Sequence, residues 1–164
     1  MAPFKTADLC DLHGDAVQVC HAPLLSFGSR PWLTGRIATV ETFEDAAPIR
    51  HALAQPGAGR VLVVDGGGSR RAALLGDRMA LLAIERGWAG IVIHGAVRDV
   101  EALGRMDIAV FALNAVPARG GRTGGGTADG EVRFGDATFH PGDFIYGDRD
   151  GLVCSRRDLA AIGI

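Results

Sequence analysis

Apolar and polar positions follow three rhythms along this chain. R60-V-L-V-V-D65 and I91-V-I-H94 are almost continuously apolar and rich in β-branched residues, which predicts short strands buried on both faces. The run I108-A-V-F-A-L113 predicts another, and the looser alternation of L33-T-G-R-I-A-T-V-E-T42 a fourth. L75-G-D-R-M-A-L-L-A-I-E-R-G87 repeats at helical spacing instead, and E44-D-A-A-P-I-R-H-A-L-A54 does so with a proline near its first turn. T6-A-D-L-C-D-L opens on a capping residue and reads as a short helix.

Strand, helix and strand between Arg60 and His94 make a βαβ unit. Its right-handed crossover places both strand C-termini and the helix N-terminus on one side of the sheet. Gly66 to Gly68, Gly76-Asp77 and Arg98-Asp99 are therefore expected on one rim, where open α/β sheets bind ligands. The glycine-rich segment from Pro117 to Gly130, which reads P-A-R-G-G-R-T-G-G-G-T-A-D-G, predicts a flexible loop. Beyond it, 131–134, 137–139, 144–146 and 152–154 are short strands separated by turns, a tail of β-hairpins. No internal repeat stands out.

With 164 residues, one domain spanning 1–164 is expected. A 48 % hydrophobic and 22 % charged composition fits an ordinary globule, and a net charge of −2 offers nucleic acid no general attraction. No apolar run nears the roughly 20 residues a bilayer requires, and M1-A-P-F-K-T-A-D lacks a signal peptide's apolar centre, so a cytoplasmic protein with no membrane partner is expected. Cys10, Cys20 and Cys154 are odd in number and unpaired in spacing, which favours reduced thiols. Cys10, His13, Cys20 and His21 lack the CxxC and HxxxH knuckles of structural zinc and read as buried or idle groups. Lys5 is the only lysine, so Schiff-base chemistry has almost no candidate nucleophile.

Three features of the rim carry candidate chemistry. D65-G-G-G-S-R-R71 could cradle phosphate, but it matches neither dinucleotide nor P-loop spacing and reads as a tight turn. G76-D-R-M79 opens a helix, whose free N–H groups suit a carboxylate or enolate oxygen, although Asp77 can equally serve as an N-cap. Arg98-Asp99 sets a fixed cation beside a fixed anion just past a buried strand. Such a carboxylate can anchor a hard divalent ion that keeps most of its waters, while the guanidinium grips a substrate carboxylate bidentately. His94 reads as a core or supporting residue and His140 as a solvated turn residue.

These stretches, with D107-I-A-V-F-A-L and G142-D-F-I-Y-G-D-R-D-G-L-V, resemble the family of the regulator of ribonuclease activity A (RraA) and the metal-dependent 4-hydroxy-4-methyl-2-oxoglutarate aldolases, over nearly the whole chain. The resemblance implies an α/β fold, a compact α/β/β sandwich of the swivelling-domain type, assembled as a homotrimer with sites between subunits. It implies that Gly76, Asp77, Arg78 and Met79 hold the pyruvyl part of a 2-oxo acid, that Arg98 contacts it, and that Asp99 ligates Mg²⁺ or Mn²⁺. Arg98 and Asp77 are the expected catalytic residues, Asp77 through a water that shuttles protons. The expected reaction yields pyruvate and a second 2-oxo acid, with oxaloacetate decarboxylation through the same enolate. Many family aldolases also lend an acidic residue from a C-terminal extension, for which Asp158 in R156-R-D-L-A-A-I-G-I164 is a poor substitute. T6-A-D-L-C-D resembles the regulator branch, whose members inhibit the endoribonuclease of the RNA degradosome by binding it, and that is the alternative expectation.

Overall fold

The structure is a computed structural model that describes residues 2–159; Met1 and 160–164, the end of the C-terminal segment considered above, lie outside the described residues. In chain order the elements are α1 (Thr6–His13), β1 (Gln18–Cys20), β2 (Leu25–Ser26), β3 (Leu33–Glu41), α2 (Ala47–Leu53), β4 (Val61–Asp65), α3 (Asp77–Glu85) and β5 (Gly90–Val97). They continue as α4 (Val100–Leu103), β6 (Ala109–Ala115), β7 (Thr127–Ala128), β8 (Val132–Phe134), β9 (Ala137–Phe139), β10 (Phe144–Asp148) and β11 (Gly151–Ser155).

Strands β3, β4, β5 and β6 pair in parallel, in that order, as the βαβ reading requires. The N-terminal half of β3 also pairs antiparallel with β10, which leads through β11 to β1. At the other end β6 pairs with β2. The two ends of this strand path, β1 and β2, are consecutive in the chain and joined only by 21–24. Such a link spans at most about 18 Å, so the sheet curls back on itself as a partly closed barrel.

That curl produces the expected sandwich. One core lies between the parallel strands and α2–α4: Val40, Leu62, Val64, Ile91 and Ile93 meet Ile49, Leu53, Ala83 and Leu103. A second fills the inside of the curl, where Ile37, Val63, Val92 and Phe111 face Phe134, Phe139, Ile145 and Cys154. A third seats Leu9 of α1 and Phe4 against Tyr146 and Val153 on the outer face. Alternate residues of β4 thus enter opposite cores, which is why its sequence is apolar throughout. Asp158 accepts the Tyr146 hydroxyl hydrogen bond at 2.9 Å beside this third core, so it acts as a structural clamp. Among the described residues no helix is long and apolar enough to cross a membrane.

Three expectations need correction. The helix expected from Glu44 begins at Ala47, with Pro48 in its first turn, because Glu44 has a positive φ of 53° and Asp45 turns its carboxylate elsewhere. The strand expected to end at His94 continues to Val97, past a bulge between Ile93 and Ala96 that lets it pair with β6 on both sides. The glycine-rich segment expected to be flexible is tied down: one Asp45 oxygen accepts the N–H groups of Thr123, Gly124 and Gly125 at 3.0, 2.9 and 3.1 Å, and the Thr123 hydroxyl as well. The other oxygen accepts the Ala47 N–H at 2.9 Å, at the start of α2.

The Thr123 hydroxyl, then the backbone N–H groups, hold the buried Asp45 carboxyl below the usual carboxylate range. A folded-state value below the unfolded one means stability that is present above the unfolded pKa and lost as pH falls through the folded one. Acid unfolding of the wild type is thus expected below about pH 4. Asp45→Asn removes that part of the pH dependence, lowers Tm at neutral pH and speeds amide exchange at 123–125. An unchanged acid limb would show that the nest contributes nothing.

Candidate active site

The rim is assembled by one short extended stretch between β4 and α3. The Ala73 N–H donates to Ala118 O at 2.7 Å and the Gly120 N–H to Ala73 O at 2.8 Å, while the Leu74 N–H donates to Ala96 O and the Arg98 N–H to Leu75 O, both at 2.9 Å. Residues 73–75 therefore run between the end of β5 and the 118–120 segment, with parallel bridges from Ala73 to Ala96 and to Arg119. Leu75 delivers the chain to α3 beside Arg98 and Asp99.

Gly76 occupies the N-cap of α3 and Asp77 is its first helical residue, so the alternative of Asp77 as N-cap is corrected. The cap acceptor arrives from another element: Asp99 Oδ2 accepts the Asp77 N–H at 3.0 Å. Asp99 sits at φ 59°, ψ 39°, a left-handed conformation that aspartate tolerates better than most residues, and this aims its side chain back at α3. Gly76 makes room for this contact, because a Cβ there would collide with Asp99 Oδ2 and push that carboxylate off the cap, while meeting the Arg98 Cγ and Nε only in ordinary contact at 3.4 and 3.5 Å. Arg98 Nε lies 4.0 Å from Asp99 Oδ2, and both side chains are a little over one-third exposed. The first intrahelical bond is Ala80 N–H to Gly76 O at 3.1 Å, which leaves the Arg78 and Met79 N–H groups without an acceptor among the described residues. The Arg78 side chain is exposed, and Met79 packs partly against the helix-side core.

Gly76, Asp77, Arg78, Met79, Arg98 and Asp99 are thus brought together, and Gly66 to Gly68 lie on the same edge. The loop from Asp65 to Arg71 is closed on itself. Asp65 Oδ1 accepts the Gly67 N–H at 2.9 Å, His94 O the Gly68 N–H at 3.1 Å and Gly66 O the Ser69 N–H at 3.3 Å. Glu44 locks it further, taking the Ser69 hydroxyl and both Nε and Nη2 of Arg71. The Gly67, Gly68 and Ser69 N–H groups are thus engaged within the protein, as the tight-turn reading expects.

His94 points into the curl, stacked on Phe134 with centroids 4.7 Å apart. Its Nδ1 lies 4.0 Å from Asp65 Oδ1, too long for a hydrogen bond, and burial pushes its pKa down against the opposing pull of Asp65. It stays neutral near pH 7 and supports the Gly68 turn. His140 is half-buried rather than fully solvated, with Nδ1 3.5 Å from Glu131 Oε2. Cys20 and Cys154 sit inside the curl and Cys10 on α1 across the outer sheet. Burial raises all three thiol pKa values, that of Cys154 to about 12, so they are poor nucleophiles.

A cleft of about 640 Å³ lies nearby over the ends of β3 and β4, lined by Glu41, Phe43, Glu44, Asp65 and Thr127 among others. Its carboxylates repel an oxo acid, so size does not make it the reaction site. The sequence reading missed Gly76 as a spacer and Glu44 and Asp45 as anchors. Only the close succession of Glu44, Asp45 and a glycine-rich partner hinted at the last.

Helix N-terminus, arginine and carboxylate meet on the C-terminal edge of the parallel sheet of an α/β protein, an arrangement whose free N–H groups and guanidinium suit an anion. The chain belongs to the RraA-like family, described as Aldolase/RraA, whose profile matches residues 6–154. A relative from Aromatoleum aromaticum, named "Putative 4-hydroxy-4-methyl-2-oxoglutarate aldolase", is 47 % identical over 95 % of this chain and 98 % of its own length. Two solved structures superpose with a TM-score of 0.94. One, the RNA-processing inhibitor RraA from Thermus thermophilus, is 40 % identical and covers 99 % of this chain and 98 % of its own. The other, named as an S-adenosylmethionine:2-dimethylmenaquinone methyltransferase from Geobacillus kaustophilus, is 47 % identical and covers 96 % and 98 %.

Gly76→Ala is expected to destabilise by about 1–3 kcal/mol through overpacking against Asp99. Urea denaturation of Gly76→Ala, Asp99→Ala and the double variant tests the contact, because removing Asp99 first should erase most of that cost. Additive losses would place the clash elsewhere.

Proposed function

We propose that this protein is a divalent-metal-dependent aldolase, a carbon–carbon lyase acting in the cytoplasm. It splits 4-hydroxy-4-methyl-2-oxoglutarate, or 4-carboxy-4-hydroxy-2-oxoadipate, to pyruvate and a second 2-oxo acid, and decarboxylates oxaloacetate through the same pyruvate enolate. The observation that carries the reading is the convergence of Arg98 and Asp99 on an α3 N-terminus with two uncommitted N–H groups. Aldolase naming of a relative that matches nearly end to end supports it.

Cleaving the bond beside a 2-oxo acid leaves an electron pair on an enolate. An imine cannot take it, because Lys5 precedes α1 on the opposite face of the sandwich. The Arg78 and Met79 N–H groups and the α3 dipole face the substrate's carboxylate and enolate oxygens, and Arg98 grips the carboxylate. Asp77 takes the C4 hydroxyl proton through a water, and a proton returned to C3 completes pyruvate. Asp99 suits a hard ion that keeps its own waters. It offers one carboxylate at the rim, with Oδ1 unbonded among the described residues, and no group of three or more His, Cys, Asp or Glu there could cage a metal. Mg²⁺ or Mn²⁺ at Asp99 supplies the Lewis acidity the enolate needs. Exposed Leu81 and Val100, on α3 and α4 beside the site, are apolar area that a neighbouring copy in a homotrimer would cover.

The second reading is a protein inhibitor of a degradosome endoribonuclease, favoured by the RraA relative that matches over almost the whole chain. Methyl transfer finds less support, since the Gly67, Gly68 and Ser69 N–H groups of the glycine loop are already bonded within the protein rather than offered to a nucleoside cofactor.

A lactate-dehydrogenase-coupled pyruvate assay with 4-hydroxy-4-methyl-2-oxoglutarate and oxaloacetate decides between them. Turnover should need Mg²⁺ or Mn²⁺ and stop with chelator; turnover indifferent to chelator, or none, removes the aldolase reading. Asp99→Ala should lower kcat by about 100-fold or more with the fold retained by circular dichroism. Arg98→Lys keeps the charge but loses the fork, so KM should rise about tenfold, and an unchanged KM would refute bidentate binding.

A further inference from the structure

The extended stretch that carries the chain to α3 is flanked on both sides, by the end of β5 and by the 118–120 segment. Ala73 bridges Ala96 on one side and Arg119 on the other, and Arg98 stands two residues beyond Ala96. Two strand spacings sideways and two residues along place the Arg98 and Arg119 backbones roughly 12 Å apart. Arg119 is exposed and has no ion pair among the described residues, whereas neighbouring Arg71 is locked on Glu44. Its backbone is not loose: the flanking Ala118 and Gly120 bond Ala73, Gly121 bonds Glu44, and 123–125 bond Asp45. A guanidinium on a fixed backbone at this distance has little to do for stability and much to offer a ligand's second anion.

Resting on the aldolase reading above, we propose that Arg119 is a specificity-determining residue that binds the distal carboxylate of the substrate. A substituted 2-oxoglutarate carries carboxylates at both ends of a five-carbon backbone. With its pyruvyl end held by α3 and Arg98, its far end projects along the rim toward Arg119, across the width of the 73–75 stretch. An arginine at the far end selects substrates that keep a carboxylate on the departing 2-oxo acid. For oxaloacetate it offers nothing to the transition state, since that carboxylate must shed its charge as it leaves as CO₂.

The test separates binding from turnover. Glutarate has the bare five-carbon dicarboxylate backbone, and pyruvate is the monocarboxylate control. By calorimetry on the intact protein, Arg119→Gln should weaken glutarate about tenfold and leave pyruvate unchanged, with Arg119→Lys in between, whereas Arg98→Gln should weaken both. In the coupled assay Arg119→Gln should raise KM for 4-hydroxy-4-methyl-2-oxoglutarate about tenfold and leave kcat/KM for oxaloacetate within about twofold. Equal losses for both ligands and both substrates, or no loss for any, overturn the assignment of Arg119 while leaving the aldolase reading intact. A wild type that releases no pyruvate and does not bind glutarate overturns both.

Discussion

One contact organises the candidate site: the Asp99 carboxylate accepting the first N–H of α3, from a chain segment 22 residues away. A partly exposed anion at a helix start contributes only about 0.3–1 kcal/mol, too little to be a major source of stability. Its importance is geometric. It fixes Asp99 in register with α3, and Arg98 with it, and it uses one of the three N–H groups that the helix cannot satisfy itself while leaving the next two open. The absence of a Cβ at Gly76 is one condition for this, since a side chain there would displace the Asp99 carboxylate from the cap. The αL backbone of Asp99 is the second condition, and α4 follows at once to hold that turn in place.

The parallel core was readable in the chain because burial on both faces writes itself as an uninterrupted apolar run, as in β4 and β6. The tail hairpins were readable because their turns carry Gly, Asp and Pro. The curl of the sheet was not, since it depends on β1 and β2, strands of three and two residues with no periodicity to detect. The extension of β5 past His94 was hidden by glycine and by the bulge, which interrupts alternation where the strand goes on. The candidate site residues were proposed from the chemistry of an arginine and an aspartate past a buried strand, together with a family resemblance, and the fold brings them together. Their bonding was beyond reach, because a cap supplied by a distant side chain leaves no local signature. Asp77 looked like a cap because aspartate beside a helix start usually is one.

Composition likewise misled about 117–130. Glycine lowers the order expected of an isolated segment, but it also exposes consecutive N–H groups that converge on a single anion. Here that anion is internal, Asp45, so the glycines that suggest flexibility are what allow the loop to be fixed.

From that nest an unbroken series of hydrogen bonds reaches the site. Asp45 holds 123–125, Glu44 O holds the Gly121 N–H, the 118–120 backbone holds Ala73, and Leu74 and Leu75 hold the end of β5 at Ala96 and Arg98. Side-chain bonds from Glu44 to Ser69 and Arg71 brace the same stretch from its other end. The 73–75 stretch joins the closed loop at 65–71 to α3, so the glycine-rich loop and the α3 N-terminus are braced against the same three residues. Along this line Glu41, Glu44 and Asp65 gather over the ends of β3 and β4, with Arg71 drawn onto Glu44, while Arg98 stands at the α3 N-terminus on the far side of the 73–75 stretch.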